Sequence, residues 1–248
     1  MELLSTAQIP LYIRAKQALL AYIRDGLRTG AFSDNKLPAE EILCQMLGVS
    51  RPTLREALMA LARDGVISKK HGTGNLIHRS TLDVRMRFDK FSDFRILLEE
   101  DRATVDLESS PFLPATEEAM RELIAAGGGS AVCLFQENLY IVDKTPVLLV
   151  YNYPHCSMSA LRDVNRDASD GSFASFLTAI SGEDSAHTIV RVQPALASDR
   201  VADRLELPAG MPLLRLKEEH YSVFDRLLGE SVVFFHPRRT APAILRKW

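Results

Sequence analysis

The stretch VSRPTLREALMALARDGVISKKHGTGNLI, residues 49–77, decides the fold of the N-terminal part of the chain. Its apolar residues recur at i, i+3, i+4 and i+7 and are Leu54, Ala57, Leu58 and Leu61. This spacing predicts a helix that buries one face and leaves basic side chains on the other. Ser50 is placed to cap the helix, which should end near Asp64 and Gly65. The runs VISKK and NLIH, on either side of HGTG, predict two short strands around a tight turn.

Two more helices are predicted ahead of this stretch. Residues 11–27 carry a stripe of apolar side chains, which are Leu11, Ala15, Ala18, Leu19, Tyr22, Ile23 and Leu27. The segment PAEEILCQML, residues 38–47, predicts a second helix with Pro38 in its first turn and Gly48 after its end. So short a glycine turn between two helices is typical of a helix-turn-helix. Together with the hairpin, the three helices predict a winged helix-turn-helix domain over residues 1–78.

The sequence changes character after residue 78. Residues 79–90, RSTLDVRMRFDK, show no clean period and are predicted to be a linker. Residues 91–248 alternate β-rich runs with short helical runs, which predicts an α+β domain with a mostly antiparallel sheet. The predicted strands lie within 131–154, where DKTP marks a hairpin turn, and at 185–196, 212–223 and 229–237. The predicted helices lie at 171–180 and at 198–207, the second capped by Ser198.

Charge is unevenly distributed along the 248 residues, although the net charge is only −2. Residues 1–80 hold eleven Lys or Arg against seven Asp or Glu, a net charge of +4, which leaves −6 for the rest of the chain. This asymmetry indicates a basic module beside an acidic one. The small net charge therefore does not argue against a nucleic-acid-binding N-terminal domain.

Several classes of protein are disfavoured. No run approaches the roughly 18 consecutive apolar residues that a transmembrane helix needs, and the N-terminus does not resemble a secretory signal. The cysteines are Cys44, Cys133 and Cys156. Their scatter and odd number predict reduced thiols in a cytoplasmic protein. The histidines considered as metal ligands are His155, His187, His220 and His236. Their spacing fits no metal site, and no catalytic constellation stands out, so neither a metal nor a cofactor is expected.

The motifs resemble those of a known family. PLY (10–12), KLPAEEIL (36–43), LGVSRPTLREAL (47–58) and LARDGVISKKHGTGNLI (61–77) resemble the GntR family of bacterial transcription regulators. VDKTP (142–146), GSFASFL (171–177), ASDRVADRLELPAGMPLLRL (197–216) and LLGES (227–231) are similar to the UTRA effector-binding domain of its HutC-type branch. The resemblance implies a chorismate-lyase-like fold for the C-terminal domain.

The resemblance also implies a set of DNA-contacting residues, because in the family the third helix enters the major groove and the wing reaches the minor groove. The implied residues are Lys36, Ser50, Arg51, Thr53, Arg55, Lys69, Lys70, His71, Gly72, Thr73 and Gly74. Arginine suits such a role because its planar fork matches phosphate oxygens or guanine O6 and N7. Glu41 departs from the family, which often has a basic, DNA-contacting residue there. Its carboxylate would either repel phosphate or accept a hydrogen bond from cytosine N4.

For the C-terminal domain the resemblance implies an effector site at Asn138, Tyr140, Ser172 and Glu230. Relatives that sense sugar phosphates carry an Arg-x-Arg pair where this chain has Asn138 and Tyr140. Neutral side chains cannot clamp a dianion, so a sugar phosphate is disfavoured as the effector. The alternative for all four residues is that they are ordinary polar groups on the surface of the sheet.

The sequence therefore predicts a homodimeric, DNA-binding transcription regulator, a repressor rather than an activator, without enzymatic activity. Its expected partners are a palindromic double-stranded operator and a small-molecule effector, and no membrane. Two alternatives stay open. The C-terminal domain could retain lyase-like chemistry on a small carboxylic acid, although fold does not imply function. The chain could also be an architectural DNA-binding protein that senses no ligand.

Overall fold

The computed structural model describes residues 10–32, 34–70, 72–82, 84, 87, 94–99, 104–129, 134–156 and 172–246. The chain divides into two compact units, one formed by residues 1–91 and 242–248 and the other by residues 92–241. Each unit encloses its own cluster of buried apolar side chains.

The first unit contains three helices followed by a two-stranded hairpin. Its elements are α1 (Leu11–Thr29), α2 (Glu40–Leu47), α3 (Arg51–Arg63), β1 (Ile67–Lys70), β2 (Gly74–Ile77) and the short α4 (Arg79–Leu82). All four apolar residues predicted for the α3 face are buried. Fewer residues of the apolar stripe predicted for α1 are buried than expected, because Leu11 and Ala18 are exposed. Gly26, which was not part of the predicted stripe, is buried. Gly26 is required there, since an added Cβ would lie 2.3 Å from the ring of Phe32.

The turn between α2 and α3 follows the predicted chemistry. Gly48 ends α2 in the left-handed conformation with φ 63°, which a glycine adopts without strain. The Ser50 hydroxyl accepts a hydrogen bond from the Thr53 amide and caps α3. Such a cap typically stabilises a helix by about 1 kcal/mol. The prediction that Pro38 lies in the first turn of α2 is wrong, because the helix begins at Glu40, with Ala39 as its extended N-terminal cap residue.

A short extended segment supports the hairpin from the other side. The Leu37 amide donates to the Asn75 carbonyl at 2.9 Å, and the Ile77 amide donates to the Asn35 carbonyl at 2.6 Å. Lys36 forms an antiparallel bridge with Leu76. The hairpin is therefore held by backbone hydrogen bonds on both sides of β2, which fixes its position relative to the helices.

The predicted linker is only partly described. Residues 79–82 form α4, and Arg87 donates a hydrogen bond to the Asp64 carbonyl. Arg87 also forms a parallel bridge with Ala243. Residues 242–248 group with the first unit, although the sequence had placed the whole segment after residue 90 in the C-terminal domain.

The second unit is built on a seven-stranded sheet. Its elements are α5 (Phe94–Glu99), β3 (Val105–Ser109), β4 (Leu113–Pro114), α6 (Glu117–Ala125), β5 (Leu134–Val142), β6 (Thr145–Pro154), α7 (Phe173–Ser181), β7 (Ser185–Leu196), α8 (Asp199–Arg204), β8 (Pro212–Ser222) and β9 (Leu227–Phe235). The strand order is β3-β5-β6-β9-β8-β7, and β4 also pairs with β5. Every pairing between these strands is antiparallel, as predicted.

Local signals account for most of these elements. Asp143 and Lys144 both have positive φ, as the type I′ turn of a two-residue hairpin requires. Ser172 and Ser198 cap α7 and α8 through hydrogen bonds from Ser175 and Val201 amides. The sequence interpretation did not identify α5, α6, β3 or β4.

The two faces of the sheet are covered differently. We call the face that packs against α6 and α8 the helical face, and it holds the main apolar core around Tyr151, Tyr153 and Phe234. We call the opposite face, which carries Asn138, Asn152 and Ser231, the polar face. Helix α7 packs on part of the polar face.

Gly229 allows this close approach of α7. An added Cβ at this position would lie 2.9 Å from Leu177 Cδ2 and 3.1 Å from the Tyr153 carbonyl oxygen.

Candidate nucleic-acid interface and ligand-binding face

The exposed side of α3 carries the two arginines that the sequence singled out. Arg51 and Arg55 are 63% and 62% exposed at their side chains, whereas the opposite side of the helix is buried. Thr53 lies between them at the start of the helix, where its hydroxyl is 2.9 Å from the Ser50 hydroxyl. The guanidinium groups therefore project from a helix whose position is fixed by the core.

Acidic residues at the start of α2 bring the basic groups of α3 and the hairpin together. Arg55 Nε lies 3.0 Å from Glu40 Oε2, and Lys69 Nζ lies 3.8 Å from the other oxygen of Glu40. Arg51 Nη2 lies 3.3 Å from Glu41 Oε1. The Glu40 carboxylate contacts basic side chains of both α3 and β1. The exposed side of α3 and the hairpin therefore form one continuous charged surface.

The tip of the hairpin, residues 72–74, contains two glycines whose backbone would allow a close approach to a phosphate group. Gly72 and Gly74 have φ of 75° and 103°, and the Thr73 amide donates to the Lys70 carbonyl at 3.0 Å. The Lys36 side chain runs beside Gly74, where an added Cβ would lie 3.3 Å from Lys36 Cε. Residue His71, also predicted to contact DNA, lies outside the described residues.

The predicted effector residues do not all share one face of the sheet. Asn138 pairs with Val150 and Tyr140 pairs with Leu148 in register, so both project from the polar face. Glu230 pairs with Tyr153, three residues from Val150, and therefore projects from the helical face. Ser172 caps α7, and the neighbouring Phe173 ring reaches the polar face.

Glu230 is the centre of a buried ionic cluster on the helical face. It accepts hydrogen bonds from the fully buried Lys217 ammonium, from His155 Nε2 at 2.9 Å and from the Gly129 amide at 3.3 Å. Burial alone would raise the pKa of Glu230, but the hydrogen bonds from His155 and Lys217 outweigh it and hold the pKa at about 2. Removing one member of such a buried pair typically costs about 3–5 kcal/mol, because the other charge is left buried without a partner.

A line of hydrogen-bonded side chains crosses the polar face. Its members, which we call the polar row, are Ser109, Gln136, Asn152, Ser231, His220 and Thr188. They come from six different strands in the order in which those strands lie in the sheet. Asn138 joins one end, where its side-chain oxygen accepts a hydrogen bond from the Ser109 hydroxyl.

The direction of these hydrogen bonds can be assigned from the hydroxyl of Ser231. Because Ser231 donates to Asn152 Oδ1 at 2.9 Å, it must accept from His220 Nε2 at 3.0 Å. The other ring nitrogen of His220 then accepts from the Thr188 hydroxyl at 3.1 Å. Burial, with a smaller contribution from Lys217, lowers the pKa of His220 to about 4, so this neutral tautomer persists at neutral pH.

Glu218 stands next to the polar row. It is opposite Ser231 in register and shares the polar face with His220. Its carboxylate is 3.8 Å from His220 Nε2, and no hydrogen bond to it occurs among the described residues. Burial raises the pKa of Glu218 to about 7. Titratable groups whose pKa values are strongly shifted by burial cluster at functional sites.

Sequence reasoning missed Glu218, Asn152 and Ser231 and considered His220 only as a metal ligand. A signal was present in β8, where Leu214, Leu216, Glu218 and His220 alternate on one face and the last two interrupt an apolar pattern. In the part of the chain that the structure describes, no group of three or more His, Cys, Asp or Glu side chains could hold a metal ion. Within the same residues, no helix is both long and apolar enough to span a membrane.

Comparison with known families agrees with this division of the chain. Residues 14–77 match the model of the bacterial regulatory proteins of the gntR family. Residues 100–240 match the model of the UTRA domain. The predicted family and fold class are thereby confirmed, and both matches are to regulators rather than enzymes.

Individual relatives match only parts of the chain. The HTH-type transcriptional regulator GgaR of Escherichia coli strain K12 is 27% identical over 142 residues, which are 57% of this chain and 55% of that protein. The fatty acid metabolism regulator protein of Pectobacterium carotovorum is 40% identical over 90 residues, which are 36% of this chain and 34% of that protein. The chain thus spans about half the length, or less, of the curated relatives that it matches.

Solved structures show the same fold. The possible transcriptional regulator YydK from Bacillus subtilis superposes with a TM-score of 0.66 at 16% identity, covering 96% of this chain and 100% of that chain. The effector domain of PhnF from Mycobacterium smegmatis superposes with a TM-score of 0.51 at 16% identity, covering 66% of this chain and 100% of that chain.

Proposed function

Because the chain belongs to the GntR family of bacterial regulatory proteins and carries a UTRA domain, we propose that it is a homodimeric cytoplasmic repressor controlled by a small-molecule effector. In this proposal each protomer places α3 in one half-site of a palindromic operator, since two-fold symmetry in the protein mirrors two-fold symmetry in the DNA. The effector binds to the second unit and changes the affinity for the operator.

The exposed pair Arg51 and Arg55 is the observation that carries the DNA-binding part of the proposal. Both lie on the outer side of α3, inside the matched gntR region, next to the basic strand that ends at Lys70. The surrounding ion pairs are exposed, and such pairs contribute at most about 1 kcal/mol each. DNA phosphates or base edges can therefore replace Glu40 and Glu41 as partners of these arginines.

The polar face supports effector binding by the second unit. It combines neutral hydrogen-bonding groups with the aromatic rings of Phe173 and Phe94 at its two ends. Among the predicted effector residues, Asn138 and Tyr140 belong to this face and Ser172 lies at the start of the helix that packs on it. Glu230 is left out of the proposed effector site because it projects from the other face.

The outer edge of β7 supports a homodimer. No other described strand pairs with this edge, and its apolar side chains are unusually exposed, with Val192 at 50% and Leu196 at 68%. Phe224, in the adjoining turn, is 78% exposed. A long edge strand with apolar side chains is a template for pairing with another strand, and two copies related by a two-fold axis would cover both edges.

The effector acts on the operator through a shift between two arrangements of the dimer. A ligand can shift such an equilibrium only by the difference between its affinities for the two states. We propose that the effector favours an arrangement in which the two α3 helices no longer match the half-site spacing.

Selection of binding sites from randomised duplex DNA tests the proposal. The purified protein is mixed with the library near ~150 mM salt, because electrostatic contacts make affinities depend strongly on salt. A two-fold symmetric motif is the expected result. Enrichment of a single, asymmetric half-site would contradict the dimeric mode, and no enrichment by a folded protein would contradict sequence-specific binding.

A further inference from the structure

We propose that the second unit binds a ligand that carries a cationic nitrogen, such as an ammonium, amidinium or imidazolium group, and that Glu218 on the polar face is its counter-charge. This inference rests on the proposed effector control and specifies the chemical class of the effector. It goes beyond the residues that family resemblance implies, because Glu218 is not one of them.

Glu218 lacks a cationic partner among the described residues. Its cross-strand neighbours are Val190 on β7 and Ser231 on β9, both uncharged. His220 Nε2 is 3.8 Å away, but this nitrogen donates its proton to Ser231. Helix α7, which packs on the same face, contains no charged residue. On α5, at the other end of the face, Arg95 is exposed.

The cations next to Glu218 on β8 and on the paired strand β7 project from the opposite face. Lys217 pairs with Glu230 in the ionic cluster, and Arg191 lies 2.5 Å from Glu219. Lys217 and Glu219 flank Glu218 on β8, so both project from the opposite face. The sheet therefore lies between Glu218 and these two residues. Neither cation can neutralise Glu218 without a change in the strand.

The electrostatics of this carboxylate favour a cationic ligand. A buried carboxylate is costly to ionise without a partner, which is why burial raises the pKa of Glu218. A bound cation would offset that cost by ion pairing, and a cation that carries an N–H group would also donate a charge-assisted hydrogen bond. An anion would meet a carboxylate instead, and Asn138 and Tyr140 on the same face offer no positive charge.

The groups around Glu218 suit the rest of such a ligand. The ring of Phe173 lies 5.2 Å from that of His220, so an aromatic ring stands on the same face as the carboxylate. Aromatic faces attract organic cations through the ring quadrupole, and a carboxylate attracts them through its charge. Asn152 and Asn138 supply neutral polar atoms further along the face.

Thermal unfolding of the full-length protein with small probes tests the proposal. The cationic probes are benzamidinium and benzyltrimethylammonium, with benzamide as the neutral and benzoate and inorganic phosphate as the anionic comparisons. Measurements are made near pH ~8 at constant ionic strength, where Glu218 is ionised. We expect the cations to raise the Tm by about 3 °C at roughly ten times their Kd, and the other probes to leave it unchanged.

Two variants test whether Glu218 is responsible for the shift in Tm caused by the cations. Glu218→Gln should abolish the shift in Tm caused by the cations. Glu219→Gln is the matched control, because Glu219 is the next residue on β8, projects from the other face and should leave the shift intact. A second measurement needs no variant. The shift caused by benzyltrimethylammonium, whose charge does not titrate, should grow as the pH of the wild-type protein rises from about 6 to about 8.

Three results would overturn the proposal. These are stabilisation by benzoate or phosphate but not by the cations, a cation-induced shift that persists in Glu218→Gln, and no shift with either cation at any pH. The experiment contains no DNA. Its failure would therefore leave the proposed operator binding standing, and failure of the DNA selection would leave a cation-induced shift standing.

Discussion

Arg51 and Arg55 are held by glutamates in the absence of DNA. Exposed pairs of this kind are weak, but they restrict the side-chain rotamers of long residues and so lower the entropy lost when the arginines contact DNA. The contact of Glu41 with Arg51 gives this residue a second possible role. A carboxylate held beside an arginine could read the cytosine of a base pair whose guanine the arginine contacts.

Replacing Arg55 with alanine should weaken operator binding by about 1–3 kcal/mol, because a bidentate contact to a base or phosphate is lost. Stability should change by under about 0.5 kcal/mol, since the side chain is exposed. Affinity is measured by fluorescence anisotropy and stability by denaturant unfolding. Arg121→Ala is the control, because Arg121 is equally exposed but lies on α6 in the second unit. Equal affinities of the Arg55 and Arg121 variants would remove Arg55 from the interface.

Replacing Glu218 with glutamine should stabilise the protein, and more so at high pH. The pKa of Glu218 is raised from 4.5 to about 7 in the folded state, so its ionisation between about pH 5 and pH 8 costs stability in the wild type alone. The difference in unfolding free energy should therefore grow by up to about 3 kcal/mol over that range. Denaturant unfolding at several pH values measures it.

The low pKa of His220 does not alter the difference in stability between the wild type and Glu218→Gln. A histidine with a lowered pKa loses stability as the pH falls from about 6.5 to about 4, and both proteins keep His220. A difference between wild type and Glu218→Gln that stays constant with pH would contradict the burial of an ionisable Glu218.

At the scale of the element, we propose that the hairpin adds charge to a DNA-binding surface whose sequence specificity lies in α3. Lys69 and Lys70 lie on β1, which is fixed from the other side of the hairpin by the segment around Lys36. Lysine ammonium groups contact phosphates as point charges rather than as planar forks. They should contribute affinity without sequence preference.

Replacing both Lys69 and Lys70 with alanine should flatten the dependence of affinity on salt. Each lost phosphate contact lowers the slope of log K against log salt by about 0.9. The change should be the same for the selected operator and for unrelated DNA, whereas Arg55→Ala should act mainly on the operator. Titrations between ~50 and ~200 mM salt provide the slopes. A loss confined to the operator would instead assign base readout to the wing.

Elements with a strong local signal could be predicted from the sequence. The core face of α3, the caps at Ser50 and Ser198, and the turn at Asp143 depend on neighbouring residues only. The missed helix α6 also has a cap at Thr116, but it spans only nine residues and follows a segment without clear pattern. Strands β3 and β4 are short and are defined by their pairing with β5, whose partner residues lie twenty or more positions further along the chain.

At the scale of the whole molecule, function depends on two units of opposite character. The basic first unit suits DNA, whereas the acidic second unit would be repelled by it. The edge of β7 provides the surface through which two chains could bring two basic units to one operator. Operator affinity should therefore depend on residues of the second unit that never touch DNA.

Replacing Val192 with lysine should weaken dimerisation at least about tenfold, because a charge would be placed on the pairing edge. Affinity for an operator with two half-sites should fall, and affinity for a single half-site should not change. Sedimentation measures the first effect and anisotropy the second. Ile124→Lys is the control, since Ile124 is similarly exposed at 55% on α6. A dimer that survives the Val192 substitution would move the interface elsewhere.

The proposed DNA-contacting residues could be predicted from the sequence. The ligand-binding face could not, because it depends on pairing between strands that lie far apart in the chain. The proposed DNA-contacting residues lie within one continuous segment, residues 36–74, so their motif and their surface coincide. The residues of the polar row lie on six strands, and their shared face depends on register across the sheet. Glu230 illustrates the difficulty, because the family resemblance grouped it with Asn138, whereas the strand register places it on the opposite face of the sheet.

The polar row constrains how this protein can evolve. Each of its inner members both accepts and donates one hydrogen bond in the same direction across the sheet, from Thr188 towards Ser109. A substitution at one inner position leaves donors and acceptors without a partner on two neighbouring strands, whereas a substitution of Thr188 at the end of the row affects only His220. We therefore expect the inner residues of the polar row to be conserved together or substituted together among orthologues. Orthologues that differ at His220 are expected to differ at Ser231 and Asn152 as well.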